Sequence, residues 1–220
     1  ARPALERLKE MCITENLLRP AVTYGFFPAA PDGNSLTIYA PDGVTVLETF
    51  EFPRQPFGDH LCLSDYVEPA VDGKPVDHVG FMAVTVGHEV SKRCKELYDS
   101  NRYQDYLFLH GLSVEAAEAL AEYFHGELRR EWGIGGDDSP DVRKLFKGHY
   151  RGRRYAFGYP ACPNLEDQAG LFRLIDPPRV GITLTEQFLL EPEQSTTAIV
   201  FHHPAAKYFT VKQGESCAVE

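Results

Sequence analysis

The spacing of apolar residues predicts one helix followed by several strands in the first quarter of the chain. Apolar side chains first recur at the helical period, at Leu5, Leu8, Met11 and Cys12. We expect a helix there that ends before Pro20. Alternating and β-branched residues, separated by turns rich in Pro, Asp and Gly, then predict strands at 21–27, which stops at Pro28, at 35–39 and at 44–50. Because these turns are short, the strands are expected to form an antiparallel meander.

Helical and strand patterns alternate in the rest of the chain. The most continuous apolar run, at 79–86, predicts a buried central strand, and a short turn capped by Ser64 or Asp65 precedes it. A long helix is predicted over 113–132 with Ser113 as its N-cap. Further helices are predicted at 90–100, 141–146 and 169–175, and further strands near 187–190, 196–201 and 207–212.

The composition is that of a folded protein with an acidic balance. Of the 220 residues, 43% are hydrophobic, which is enough for one sizeable core, and we favour a single domain. The net charge of -10 argues against nucleic acid or an anionic membrane as a partner, since both select basic surfaces. Neither a membrane span nor a signal peptide is recognisable, so a cytoplasmic protein is predicted. The helical pattern at Ala1 favours a piece of a longer polypeptide.

Several clusters of reactive residues have a simpler interpretation than a catalytic or metal site. The five cysteines are scattered without a C-x-x-C pair, which disfavours structural zinc and a disulfide framework. The glycines at 133–136 follow a predicted helix rather than a strand, so they favour a helix-ending loop over a nucleotide-binding loop. His202 and His203 are strand neighbours that point to opposite faces, and His60 and Cys62 have no third ligand nearby in sequence.

The stretch 150–167 concentrates the residues that favour ligand binding. It combines arginines with aromatic residues, Gly and Pro, and guanidinium groups bind carboxylates or phosphates through forked hydrogen bonds. Gly158 allows a close approach of the backbone, while Pro160 and Pro163 force the residues before them into extended conformations. We expect a stiff, non-helical wall whose main-chain groups stay free of a regular ladder. On chemistry alone, a Pro-rich connector is an equally good interpretation.

The segment 154–163, R-Y-A-F-G-Y-P-A-C-P, resembles the R-x-x-x-G-Y-P-A-C-P signature of the AdoMet-binding activation domain of cobalamin-dependent methionine synthase. Other stretches resemble this family in the same order along the chain. They lie at 21–29, 38–39, 63–67, 80–85, 184–186, 195–198, 203–204 and 207–209. The resemblance therefore spans nearly the whole chain.

The resemblance implies a single α+β domain over 1–220, built on a curved, mostly antiparallel sheet with flanking helices. It agrees with the meander and helices predicted above. It also implies S-adenosylmethionine (AdoMet) as the ligand. The family has an additional N-terminal segment with an aspartate that contacts AdoMet, and this chain is expected to start after that segment.

The resemblance further implies which residues bind AdoMet. Arg154 would hold the methionine carboxylate, and Ala156 would lend backbone contacts to the adenine. Gly158 and Tyr159 would complete that wall. The other implied ligand residues are an aromatic pair, whose second member is commonly Tyr in the family, and an acidic residue on the long helix: Tyr208, Phe209 and Glu118.

The implied function is the reactivation of the enzyme, as one part of methionine synthase that does not turn over homocysteine alone. Inactive cob(II)alamin would return to methylcobalamin by one-electron reduction coupled to methyl transfer from AdoMet, which needs no catalytic acid, base or metal from this chain. Cobalamin would be held by a neighbouring domain of the same enzyme, and flavodoxin or an equivalent flavoprotein would supply the electron. Docking an acidic flavoprotein would need a basic face. The candidates are Arg129, Arg130, Arg143, Lys144, Lys147, Arg151 and Arg153.

Two other functions stay open at this point. The first is a non-catalytic module that senses AdoMet or docks the flavoprotein. The second is a hydrolase that uses Cys162 with a histidine, although a cysteine between Ala161 and Pro163 is more often packed than reactive.

Overall fold

The computed structural model describes the backbone of residues 2–212 and the side chains of residues 5–212. Cys217 lies outside the described residues. Five α-helices occur within them: α1 (Arg2–Thr14), α2 (His88–Asp99), α3 (Tyr103–Glu131), α4 (Val142–Leu145) and α5 (Asp167–Ile175). None of the helices in this part of the chain is long and apolar enough to cross a membrane.

Eight strands complete the fold of the described residues. They are β1 (Ala21–Asp32), β2 (Ser35–Tyr39), β3 (Val46–Glu51), β4 (Asp77–Thr85), β5 (Arg153–Ala156), β6 (Thr183–Leu184), β7 (Leu190–Glu191) and β8 (Ser195–Phe201). Six of them form one sheet in the order β3-β2-β1-β4-β8-β5, and β6 pairs with β7 separately. The pairs β1–β2, β2–β3 and β5–β8 are antiparallel. The predicted α+β domain with a mostly antiparallel sheet is confirmed, while its boundary over 1–220 and the missing N-terminal segment stay predictions.

Contacts within this domain distinguish two compact units. The first consists of Ala1–Thr23, Ala83–Tyr123 and Asp176–Thr196. In it, α1, α2 and the first half of α3 share an apolar core with Leu8, Cys12, Val90, Cys94, Leu97 and Leu109 among its members. Burial raises the pKa of the Cys94 thiol to about 11, so this cysteine stays protonated and packs as an apolar side chain.

The second unit consists of Tyr24–Met82, Phe124–Ile175 and Thr197–Glu220, and it holds most of the six-stranded sheet. The ring of Phe50 in β3 lies 5.5 Å from that of Phe81 in β4 and 6.0 Å from that of Phe157. Gly170 in α5 approaches β3 so closely that a Cβ at this position would lie 2.8 Å from the Phe50 ring. This aromatic packing fixes the residues that directly follow β5.

Two predicted strand boundaries are wrong for identifiable reasons. β1 continues through Pro28, because its register with β2 begins one residue later, at Ala29 opposite Ile38, so the missing N–H of Pro28 precedes that ladder. The predicted strand at 187–190 is reduced to Leu190–Glu191, since Phe188 adopts a left-handed conformation with a φ of +59°.

The segment 207–212 forms no strand, contrary to the prediction. Its main-chain carbonyl groups bond to side chains instead. The Lys207 carbonyl accepts from the Tyr155 hydroxyl at 2.8 Å, and the Thr210 carbonyl accepts from Gln55 Nε2 at 2.8 Å. Hydrogen bonds to side chains thus take the place of a strand partner in this segment.

Ser113 is not the N-cap of the long helix, because α3 begins at Tyr103. The Ser113 side chain is buried, and its hydroxyl donates to the carbonyl of His110 at 2.7 Å, one turn earlier in the helix. The sequence pattern did not predict the part of α3 before Ser113. There the fully buried Leu109 lies two residues from Leu107, which is 61% exposed. Exposed apolar residues hide the helical period there.

Candidate functional site

β5 carries the arginines of the functional stretch at the edge of the sheet. It pairs with β8 along one side, and the six-stranded sheet of the described residues ends at β5. The expectation of a wall free of any ladder is therefore wrong for Arg153–Ala156. Because side chains alternate across a strand, Arg154 and Ala156 lie on one face of β5 and Arg153 and Tyr155 on the other.

The entry into β5 is fixed by a close backbone approach at Gly152. This residue has a φ of +81°, and a Cβ built on it would lie 2.4 Å from the carbonyl oxygen of Phe201. Only glycine permits this approach. On the preceding residue, Arg151 Nε donates to the carbonyl of His202 at 2.9 Å. These contacts fix the register of β5 against β8 and therefore the position of Arg154 in the sheet.

The loop after β5 closes around the carbonyl oxygen of Ala156. This oxygen accepts from the N–H of Tyr159 at 3.3 Å and from the thiol of Cys162 at 3.1 Å. Gly158 has a φ of +88° and donates its N–H to the carbonyl of Cys162 at 2.9 Å. The carbonyl oxygen of Ala156 is thus occupied within the loop, while Tyr159 at the tip is 63% exposed.

Cys162 is a packed thiol, as predicted. It is 1% exposed, and burial raises the pKa of its thiol, with a further contribution from the charge of Asp167. The thiolate is the nucleophilic form of cysteine, and this environment suppresses it. The hydrolase alternative loses its proposed nucleophile.

The segment 207–211 is anchored to the same stretch by hydrogen bonds that involve its main chain. The Tyr155 hydroxyl donates to the Lys207 carbonyl, as described above, and the N–H of Val211 donates to the carbonyl of Pro160 at 3.2 Å. Burial raises the pKa of the Tyr155 hydroxyl, so it remains a donor at any physiological pH. These bonds bring the segment 207–211 beside β5 and its loop.

Tyr208 and Phe209 pack against the centre of this anchor. Their rings lie 5.5 Å and 6.3 Å from the ring of Tyr155. Phe209 is only 5% exposed, so its ring fills core rather than lining an open site. Within residues 2–212, no hydrogen bond joins the main chain of Tyr208 or Phe209 to another residue. Both lie beside β5, and their contact with a ligand stays a prediction.

Two of the predicted docking arginines are engaged inside the protein. Arg129 is 2% exposed and binds Asp138 through two hydrogen bonds of 2.8 Å, so its assignment to a docking face is wrong. The guanidinium of Arg153 donates to the main-chain carbonyls of Tyr150, Gly152 and Gly148 at 2.8, 2.6 and 3.0 Å. Four members of the predicted face are exposed. Arg130 lies in the last turn of α3 and pairs with Glu127, and the other three lie on and beside α4: Arg143, Lys144 and Lys147.

Glu118 lies on an exposed position of α3, in the first unit. Its predicted role toward the ligand stays a prediction, as do the roles of Arg154, Ala156, Gly158 and Tyr159.

A cavity of about 490 Å³ in the second unit lies apart from these residues. Arg54, Ser64, Asp65, Glu68 and His203 contribute to its lining. Arg54 and Asp65 neutralise each other through hydrogen bonds of 2.7 and 2.8 Å. None of the predicted ligand residues lines this cavity, which does not belong to the predicted site.

Sequence reasoning did not single out Tyr150 or Tyr155, around which the site is packed. Tyr155 is 3% exposed and shares a strand face with Arg153. The alternation in R-R-Y-A could have indicated the role of Tyr155. It places Arg154 and Tyr155 on opposite faces of the strand, and the tyrosine is the residue expected to be buried. Several of their partners, such as Arg129 for Tyr150 and Lys207 for Tyr155, lie far along the chain and leave no local pattern.

A comparison with known protein families decides the relationship suggested by the signature. A family model described as "Vitamin B12 dependent methionine synthase, activation domain" matches residues 2–219. The chain belongs to this family. The prediction made from the segment 154–163 is confirmed.

Two curated relatives of this activation domain come from mycobacteria. Methionine synthase of Mycobacterium tuberculosis is 44% identical over 223 aligned positions, which cover 96% of this chain and 19% of the relative. Methionine synthase of Mycobacterium leprae is 43% identical, with 96% of this chain and 18% of the relative covered. The chain therefore spans about a fifth of the length of these relatives.

A solved structure of the MetH reactivation domain bound to AdoHcy has the same fold. It superimposes with a TM-score of 0.88 at 30% sequence identity, over 96% of this chain and 68% of the solved chain. The α+β architecture of the activation domain is thus found in both.

Proposed function

We propose that this chain binds S-adenosylmethionine and positions its methyl group for the reductive methylation of cob(II)alamin in a cobalamin-dependent methionine synthase. The observation that carries the proposal is the family match over residues 2–219. The solved reactivation domain, which binds AdoHcy, supports the choice of ligand. The domain acts as part of the enzyme and does not turn over homocysteine by itself.

In the proposed reaction, this chain binds and orients AdoMet and supplies no acid–base catalysis. The methyl carbon leaves the sulfonium sulfur, which keeps the bonding electron pair and departs as the thioether of AdoHcy. One electron from the reductant and the methyl group convert cob(II)alamin into methylcobalamin. Because no proton is transferred, the contribution of the chain is to hold the sulfonium methyl group at the cobalt.

Arg154 is the residue that we assign to the methionine carboxylate. It belongs to the family signature and lies on the face of β5 opposite Tyr155, while the neighbouring Arg153 is bound to three carbonyls. The proposal also assigns ligand contacts to the main chain of Ala156, to the turn at Gly158 and Tyr159, and to Tyr208 and Phe209. Glu118 completes the proposed set.

The proposed partners are the cobalamin-binding domain of the same enzyme and flavodoxin or an equivalent flavoprotein. The proposal includes the cytoplasmic location predicted from the sequence. An acidic reductant would meet the exposed basic residues Arg143, Lys144 and Lys147.

The joint replacement of Arg143, Lys144 and Lys147 by Glu is expected to slow flavodoxin-dependent reduction about tenfold at low salt. Replacement of the exposed Lys95 on α2 by Glu is the control, and an unchanged rate in the triple variant would remove this face from the proposal.

The function is tested by reductive methylation of cob(II)alamin in the full enzyme. Arg154→Ala is expected to lower the rate at limiting AdoMet by about tenfold or more, because a bidentate carboxylate contact is lost. Lys95→Ala, which removes an exposed cation on α2 outside the proposed docking face, is expected to leave the rate unchanged. Unimpaired methylation by Arg154→Ala would refute the site assignment. AdoMet binding without any methylation by the wild type would identify a sensing module instead.

A further inference from the structure

Tyr150, just ahead of β5, lies between two arginines. Its ring centroid is 3.9 Å from the guanidinium carbon of Arg129 and 5.0 Å from that of Arg153. The guanidinium carbon of Arg153 also lies 6.0 Å from the ring centroid of Tyr208. Arg129, Tyr150, Arg153 and Tyr208 thus alternate cation and aromatic ring, and we call these four residues the arginine–tyrosine stack. It joins α3, the entry to β5, β5 itself and the segment 207–211.

Both ends of the arginine–tyrosine stack are fixed. Arg129 is buried and held by its two hydrogen bonds to Asp138. At the other end, the ring of Tyr208 packs edge-to-face on that of Tyr155. Cation–aromatic contacts that are shielded from water are stronger than exposed ones, so the buried end holds Tyr150 firmly.

The middle of the stack cannot turn toward a ligand. Arg153 places its guanidinium on three main-chain carbonyl groups as well as over two rings. A guanidinium with this many fixed partners acts as a structural clamp on the residues 148–153. Arg154, the next residue, projects from the other face of the same strand.

His125 completes the packing around Tyr150 as a neutral ring. Its imidazole meets the Tyr150 ring edge-to-face at 5.2 Å. Burial and the charges of Arg129, Arg154 and Arg153 lower the pKa of His125 well below its ordinary value. Neither ring nitrogen has a hydrogen-bond partner among the described residues. A neutral His125 adds no fourth positive charge to this cluster.

We propose that the arginine–tyrosine stack positions Arg154 for the carboxylate of the ligand, with Tyr150 and Arg153 as positioning residues. The inference rests on the proposed function and adds to it the residues that set the geometry of the carboxylate contact. A forked guanidinium–carboxylate contact requires a defined direction of approach. The stack sets this direction because it fixes the backbone at Arg153, directly before Arg154. The close approach of Gly152 to the Phe201 carbonyl in β8 fixes the same part of the backbone.

The test compares two variants of Tyr150 by calorimetric titration of the chain with AdoHcy. Tyr150→Phe keeps the aromatic ring and is expected to bind within about twofold of the wild type. Tyr150→Leu removes both ring faces and is expected to weaken binding about tenfold. Tyr98→Leu is the control, since Tyr98 is an exposed tyrosine in the first unit with edge-to-face contacts to Tyr103 and Tyr106. It is expected to bind as the wild type does.

The same substitution in an Arg154→Ala background separates positioning from general destabilisation. If Tyr150 acts through Arg154, Tyr150→Leu costs no further affinity once Arg154 is absent. Equal losses in both backgrounds, or no loss in either, would overturn the inference.

Should Tyr150→Leu fail to fold in a thermal unfolding measurement, Arg153→Met removes the middle of the stack while keeping an apolar stem. It is expected to show the same loss of affinity that depends on Arg154, and unchanged affinity would overturn the inference. A wild-type chain that binds no AdoHcy contradicts the proposed function itself. Wild-type binding that Tyr150→Leu leaves intact contradicts only the role of the stack.

Discussion

Gly152 shows how one residue can determine the position of the candidate site. Its left-handed conformation and the 2.4 Å between a built Cβ and the Phe201 carbonyl leave no room for a side chain. The obstacle is a main-chain atom of β8, which cannot move without breaking the ladder to β5. The position of Arg154 therefore depends on a residue that has no side chain with which to contact a ligand.

Gly152→Ala is expected to lower the free energy of unfolding by about 2 kcal/mol or more, because strain at positive φ adds to the clash. Gly111→Ala is the matched control. Gly111 lies in α3 with open space around a built Cβ, so alanine should stabilise the chain by about 0.5–1 kcal/mol. Urea unfolding of the two variants measures both, and effects of the same sign would contradict this account.

Asp167 at the start of α5 is expected to make stability depend on pH. Burial raises its pKa to about 6 against the hydrogen bond from Asn164, and the charges of Glu166 and Glu48 add to the increase. A raised pKa in the folded state means that stability is present below the unfolded pKa and lost as the pH rises through about 6.

Asp167→Asn removes this charge with little change of shape. Near pH 4 the variant and the wild type should unfold at similar urea concentrations, while above pH 6 the variant should be more stable, by of the order of 1 kcal/mol after allowance for solvent screening. A stability difference that stays constant from pH 4 to pH 7 would show that Asp167 ionises as it does in the unfolded chain.

Among the helices and strands, the regular ones could be predicted and the interrupted ones could not. Residues 77–85 are almost all buried, so β4 appears in the sequence as a continuous apolar run. α3 was recognised only from Ser113 onward, because the segment before it exposes Leu107 and other apolar residues. β5 is too short to show a period, and its pairing with β8 depends on residues more than forty positions away.

Ser113→Ala distinguishes the observed helix from the predicted one. In the structure the Ser113 hydroxyl bonds a carbonyl inside α3, so alanine should change the free energy of unfolding by less than about 0.5 kcal/mol. A serine at the N-cap would instead cost about 1 kcal/mol when replaced. Thermal or urea unfolding of this one variant decides between them, and a loss near 1 kcal/mol would favour a helix that starts at Ser113.

For the chain as a whole, the family could be recognised from ten residues, whereas the arrangement of the site could not. The signature at 154–163 predicted the family and singled out Arg154. The contacts that surround it join positions far apart, such as Tyr155 with Lys207 and Arg129 with Tyr150. Local periodicity carries no information about such pairs. For the same reason, Arg129 looked like a surface cation in the sequence and is a buried partner of Asp138 in the structure.

The central claim is that Arg154 binds the carboxylate of an S-adenosyl ligand on this chain. Calorimetric titration with AdoHcy tests it most directly, using the wild type, Arg154→Ala and the exposed control Arg143→Ala. The wild type and Arg143→Ala are expected to bind equally well, and Arg154→Ala at least about tenfold more weakly, because the forked contact to the carboxylate is lost. Equal affinities for all three proteins would contradict the claim.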